Sequence, residues 1–286
     1  MVRSIVLATT LGAVLVSASA ALAQGGVPAP DFDEPCPALY PGDNAPKARL
    51  ARWLARAAAE RGLPPELPVM AAIAESGLRK LRGKDYHGFF GMHKSLNSGE
   101  YRGYPRKPEL QVKWFIDTAS AVRQRVVAET KPDPAKDPNG WGEWIADVER
   151  PAAQNRSGYQ PHLEEARRLV GGKCGTPALN DVTPPRLFAR IAARQHPLAA
   201  GGIVVSARCP DRDCLVGASA TVGEQTRRAA ARAPAPQGYS VIPVAVPRAA
   251  RRALRAGRSV RVRVTVCAAD AAANATTQQR SVLLLP

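Results

Sequence analysis

The stretch "VMAAIAESGLRKL", Val69 to Leu81, sets the reading of the N-terminal half of the chain. Six apolar residues, Val69 to Ala74, run straight into Glu75-Ser76-Gly77. The pattern is the end of a buried helix, with Gly77 as the residue that stops it. A carboxylate at that place is awkward. Taking it out of water costs several kcal/mol unless it is paired or neutral. The negative end of the helix dipole also disfavours its charge. Three readings are open: a surface charge, an ion pair with Arg79 or Lys80 one turn on, or a carboxyl presented for chemistry. In the third, an acid held neutral near neutral pH protonates a leaving oxygen.

Working outward, "APKARLARWLARAAAERG" puts Leu50, Trp53, Leu54 and Ala57 on one helical face, with Gly62 beyond its end. "PPELPVMAAIAE" is a second helix with its prolines in the first turn, where they are tolerated. The Gly-rich, aromatic run from Ser76 to Lys107 has no helical period, and loops of that length are usually functional. A third helix starts at Pro108-Glu109, with Leu110, Trp114, Phe115, Ala119, Val122 and Val126 along one face. Two short helices are expected near Trp141–Val148 and Tyr159–Val170. Residues 46–175 thus read as an all-α domain and 176–185 as a linker. From 186 to 286 the texture is β-like: "GIVVSARC", "CLVGASATV", "YSVIPVAV", "SVRVRVTVCAA" and "QQRSVLLL" are separated by turn residues, as in a small all-β sandwich. "PRAARRALRAG" is one short basic helix between them.

The opening residues address the chain. Residues 1–23 have a basic Arg3, an apolar core from Ile5 to Val16 and a small-x-small ending at Ala21-Leu22-Ala23, the pattern of a signal peptide cleaved after Ala23. Residues 24–45 form a Pro/Gly-rich leader. The expectation is a secreted, wall-associated monomer with no membrane span after cleavage. Export permits disulfides. Cys36 and Cys174 bracket the helical domain and make a natural pair, and Cys209 and Cys214 are close enough to bridge a hairpin. Cys267 is then unpaired or paired with one of those two. With 286 residues, 45% of them hydrophobic, the chain can bury a core. Its net charge of +16 predicts attraction to anionic partners, although an Ala- and Arg-rich composition also arises without any such role. No phosphate-binding glycine loop and no Gly-x-Ser-x-Gly elbow is present. His87, His93, His162 and His196 lie apart. No metal and no cofactor is expected.

The segment ending in Glu75-Ser76 resembles the catalytic helix of the soluble lytic transglycosylase and goose-type lysozyme superfamily. The ordered set Glu-Ser, Gly88-Phe89-Phe90-Gly91-Met92, "WFID" and "DVERPA" carries that resemblance over about residues 46–172. It implies a lysozyme-like fold and cleavage of the β-1,4 bond between N-acetylmuramic acid and N-acetylglucosamine in peptidoglycan. Glu75 would be general acid and then base, closing a 1,6-anhydro ring. It further implies substrate contacts from Ser76, Gly88, Phe89, Phe90 and Met92. Gly91 stands where the family has glutamine, with His93 as a substitute, and Tyr159 stands in for a tyrosine of the third family motif. Asp85 and Glu100 are the loop's candidates for the second carboxylate that a hydrolase needs about 6.5–9.5 Å away, or they are solvated loop charges. Phe89, Phe90, Tyr101 and Tyr104 are either sugar-stacking rings or core.

Residues 184–286 are similar to bacterial immunoglobulin-like modules, through the Arg-rich helix and two closing strands around Asp270-x-x-x-Asn274. Residues 176–286 hold sixteen Arg, no Lys and five acids, so this part is either a spacer or an attachment surface for anionic wall polymers. The sequence therefore predicts an exported peptidoglycan-cleaving enzyme. The alternative is a degenerate lysozyme fold that binds glycan without cutting it. Nucleic acid is not an expected partner.

Overall fold

The computed structural model describes residues 36–172, 174, 182–211, 213–235 and 238–286. The signal peptide, most of the leader and most of the linker lie outside the described residues. The described chain has two parts, a helical region over about 47–170 and a β-sheet region that runs to 284.

Five helices build the first part: α1 (Lys47–Ala59), α2 (Glu66–Ser76), α3 (Pro108–Ala128), α4 (Trp141–Glu149) and α5 (Leu163–Val170). Short 3-10 turns at 153–158 and 160–162 precede α5, where the sequence predicts one continuous helix from Tyr159. Pro161 explains the break, since it supplies no backbone donor. The region is also not purely helical. The long segment after α2 contains a small antiparallel sheet of β1 (Leu81–Arg82), β2 (Tyr86–Gly88) and β3 (Met92–His93).

Helix α2 is apolar on most sides because α1, α4 and α5 all pack against it. Trp53 on α1 and Phe89 lie at the centre, with ring centroids 6.1 Å apart, and Tyr40 closes over Trp53 at 5.0 Å. The chain entering at Cys36 is tied to Cys174 beyond α5 by a disulfide. Arg56 of α1 donates to the Cys36 carbonyl at 2.9 Å, which fixes that strap to the helix.

The second part has two sheets. One runs β5 (Arg194–Gln195), β11 (Ala275–Leu284), β10 (Val260–Ala269), β7 (Leu215–Val222), β8 (Gln225–Arg228). The other runs β4 (Phe188–Arg190), β6 (Ile203–Arg208), β9 (Ser240–Val244). Their apolar faces share one core: Val205 and Val244 from the smaller sheet, Ala218, Val264 and Val282 from the larger. Helix α6 (Arg248–Arg255) is the predicted basic helix and buries only Ala250 and Leu254. Cys209 and Cys214 are disulfide-bonded. Cys267 is free and buried, and burial pushes its thiol up to about 11.

Cys267 lies where the two parts meet. Its thiol donates to the Val127 carbonyl at the end of α3, at 3.4 Å. Val127 and Ala128 pack against Ala269, and Gln124 donates to the Ala269 carbonyl at 3.1 Å. A Cβ at Gly217 would sit 2.3 Å from the Ala128 carbonyl oxygen, so glycine is what lets β7 approach the helix end. Among the described residues no helix is long and apolar enough to cross a membrane.

Candidate functional site

The end of α2 is a Schellman stop. Gly77, in the left-handed region at φ +63°, follows the last helical residue. The Leu78 amide donates to the Ala72 carbonyl at 3.0 Å and the Gly77 amide to Ile73 at 2.9 Å. Leu78, 1% exposed, packs into the core after the turn. This stop leaves Glu75 on the last helical turn, facing an open cavity of about 870 Å³. The ion-pair reading of Glu75 is not what forms. Lys80 pairs with Asp43 at 3.6 Å, and Arg79 is exposed. The partner of Glu75 is instead the Tyr159 hydroxyl, which donates to Oε1 at 2.5 Å. Burial, and then that hydrogen bond to the carboxylate, hold the Tyr159 phenol well above its ordinary pKa, so it stays a donor.

Tyr159 is held by its neighbours. Gln160 accepts from the Gly142 amide at 2.7 Å and donates to the Pro138 carbonyl at 3.1 Å, clasping the start of α4. Arg156 donates to Glu143 and Asp147 on α4, both at 2.8 Å, and pins the 152–158 segment along the cavity rim.

The opposite wall is the Gly88–Met92 turn. Gln111 of α3 is fully buried and latches it. Its Oε1 accepts from the Phe89 amide at 3.1 Å, and its Nε2 donates to the Tyr104 carbonyl at 2.8 Å. Gly88, at φ +82°, leaves no room for a side chain there: a Cβ would lie 2.4 Å from Gln111. Gly91 also has positive φ, +56°, and its Cβ would lie 3.1 Å from Glu75 Oε2. A residue with a side chain at 91 would crowd the carboxylate. The Gly91 backbone therefore lies close to the Glu75 carboxylate.

The sequence-predicted residues fall in different places. Glu75, Phe90 and Tyr159 line the cavity. Phe90 stacks on Phe115 at 4.7 Å and is 1% exposed, so little of its ring is left for a sugar. Phe89, Met92 and Tyr104 are core residues. Gly88 is pressed against Gln111, and Ser76 donates its hydroxyl back to the Ala72 carbonyl at 2.8 Å. His93 accepts from the Ser95 amide at 3.3 Å and packs edge-on against Tyr86, with centroids 5.3 Å apart. It reaches the cavity only through that ring. Tyr101 is turned to Asp117, to which its hydroxyl donates at 3.3 Å. Asp85 pairs with Lys94 at 2.6 Å and Glu100 with Lys113 at 2.8 Å, and neither lines the cavity.

The second carboxyl at the cavity is Glu149, the last residue of α4, which sequence reasoning did not single out. Its side chain borders the cavity, yet Oε1 is sealed from solvent with no hydrogen-bond partner. Burial, and then the charge of Glu75, hold the Glu149 carboxyl well above the ordinary carboxylate range. The signal that was available is the shape shared with Glu75, a glutamate in the last turn of a helix stopped by a left-handed residue, here Arg150 at φ +53°. Tyr86, 58% exposed, is the accessible ring on the rim, and His162 also lines the cavity.

The β region carries a second open cavity of about 540 Å³ on the outer face of the larger sheet. Arg261 and Arg263 line it, and Arg263 lies in register between Thr221 and Ser281. Neither arginine has an acidic partner among the described residues; the ion pair of this region is Arg186–Asp211 at 3.0 Å. No group of three His, Cys, Asp or Glu able to hold a metal occurs among the described residues. No family model and no curated protein matches the sequence.

Proposed function

We propose that the protein is an exported enzyme that cleaves the β-1,4 glycosidic bond of peptidoglycan, with Glu75 as its essential carboxyl and 1,6-anhydro ends on its products. One observation carries this reading. A glutamate at the end of a buried helix faces an open cavity, held by a neutral phenol and, among the described residues, by no cation. A structural carboxylate would have been paired with Lys80 or Arg79. A carboxyl that exchanges protons with substrate must stay accessible and uncommitted to a fixed charge. The cavity is of a size that holds sugar rings. The helical region is read as a lysozyme-like fold and the two-sheet region as an immunoglobulin-like module. The outward arginines suit the carboxylates and phosphates of wall polymers, and the protein acts as a monomer at the cell wall.

The test is digestion of purified cell wall by the wild type and by Glu75→Gln, with product masses read out. The wild type should release anhydro-ended fragments and the variant should release none. Retained clearing by Glu75→Gln sinks the assignment. Wall binding with no cleavage by the wild type would make the protein a glycan binder instead.

A further inference from the structure

We infer that Glu149 is a second catalytic carboxyl of the same cavity: it hands its proton to the glycosidic oxygen, while Glu75 takes the proton of the attacking hydroxyl. This rests on the reading of the cavity as a glycan-cleaving site.

The two carboxyls that share the cavity differ in their surroundings. Both end a helix, where the dipole opposes negative charge. Burial, and then the charge of Glu75 beside it, oppose ionisation of Glu149. Glu75 has the Tyr159 hydroxyl donating to Oε1, which satisfies an ionised oxygen. Glu149 has no donor on its sealed Oε1, which suits the carbonyl oxygen of a neutral acid and penalises a carboxylate. Glu149 is therefore the carboxyl suited to hold a proton. The other titratable and charged groups around the cavity are Tyr159, Tyr86, His162 and Arg150. Arg156, on the rim, is taken up by Glu143 and Asp147. Arg150 is exposed, and no ion pair of Glu149 occurs among the described residues.

The chemistry then balances. As the bond from the anomeric carbon to the glycosidic oxygen breaks, its electron pair stays on that oxygen, which receives the proton from Glu149. The attacking hydroxyl bonds to the anomeric carbon and gives its proton to Glu75. The cycle ends with Glu75 protonated and Glu149 ionised, and solvent in the open cavity returns the proton.

The test compares wild type, Glu75→Gln and Glu149→Gln on cell wall and on a dinitrophenyl β-glycoside of an N-acetylglucosamine oligomer, whose leaving group needs no protonation. On wall, Glu149→Gln should lose about 10²–10⁴-fold in rate and the fall in activity that the wild type shows at high pH. On the activated glycoside it should keep a rate near that of the wild type, and Glu75→Gln should lose both activities. A Glu149→Gln enzyme with wild-type rate and pH profile on wall overturns the inference and leaves the proposed function standing. Equal loss on both substrates, the mark of a merely structural residue, overturns it as well. A wild type that cleaves neither substrate removes the inference and the proposed function together. Carbon-13 titration of the wild-type carboxyls gives a readout free of activity and of variant folding. The Glu149 signal should titrate above the ordinary carboxylate range, and titration within that range is the refuting result.

Discussion

Gln111→Leu tests whether the cavity wall depends on one buried amide. The side chain is fully buried and bridges the Phe89 amide to the Tyr104 carbonyl. Leucine keeps most of the volume and removes both bonds. The Phe89 N–H is then stranded in a dry interior, which costs about 1–3 kcal/mol. The Tyr104 carbonyl still accepts from the Lys107 amide at 3.1 Å, so its loss is smaller, about 1 kcal/mol. The sum, about 2–4 kcal/mol, is a large share of a domain stability of about 5–15 kcal/mol. Tryptophan fluorescence in a urea titration is the assay, because Trp53, Trp114, Trp141 and Trp144 all lie in the helical region. The midpoint should drop with an unchanged slope. Below the new midpoint, wall cleavage should weaken too, since the turn carrying Gly91 beside Glu75 has lost its latch. A change worth less than about 1 kcal/mol would refute the accounting, because the buried Phe89 amide would then have been left unpaired at almost no cost.

Gly91→Ala should fold at a cost of about 1–2 kcal/mol for its left-handed backbone, and should lose wall-cleaving rate through its crowding of Glu75; a variant with full rate argues against that approach being tight. Reduction of the Cys36–Cys174 bond, or Cys36→Ser with Cys174→Ser, should lower stability by about 5 kcal/mol on the loop-entropy account, read from the urea midpoint. Glu149→Gln should gain stability over the wild type as pH rises: a raised folded pKa gives the wild type its greatest stability below the ordinary carboxylate pKa, and that stability is lost as pH climbs towards the raised value. Equal midpoint shifts at pH 4 and pH 8 would count against it. Arg261→Gln with Arg263→Gln should weaken binding to purified wall at low salt, with less difference at high salt, measured by sedimentation.

Much of the fold was legible because it rests on long periodic signals. The stop at Gly77, the start of α3 at Pro108 and the five longer strands all follow from pattern and turn chemistry. What escaped is short or set by tertiary packing. "YHG", "RQ" and "QTRR" are too short and too polar to show alternation, so β2, β5 and β8 had no local signal. In the site, Glu75 stood out because an apolar run led into it. Phe89 and Phe90 did not reveal which way they face. Gly88 and Gln111, twenty-three positions apart in sequence, turn them into the core. Glu149 hid among Glu143 and Asp147, charges on the outer side of the same short helix, and Arg150 just past its end. Only the closure of α4 on α2 brings it to Glu75.

Helix α3 holds the cavity wall through Gln111 near one end and meets the sheet of β7 and β10 through Val127 and Ala128 at the other. A single rod thus joins the Glu75 cavity to the sheet that bears the basic face. A catalytic head on a slack tether can sweep every strand within its leash. A head braced this way has one bearing. If the arginine face settles on the wall, the cavity meets glycan only at a fixed height and angle, and where the protein lands decides which bonds it can reach.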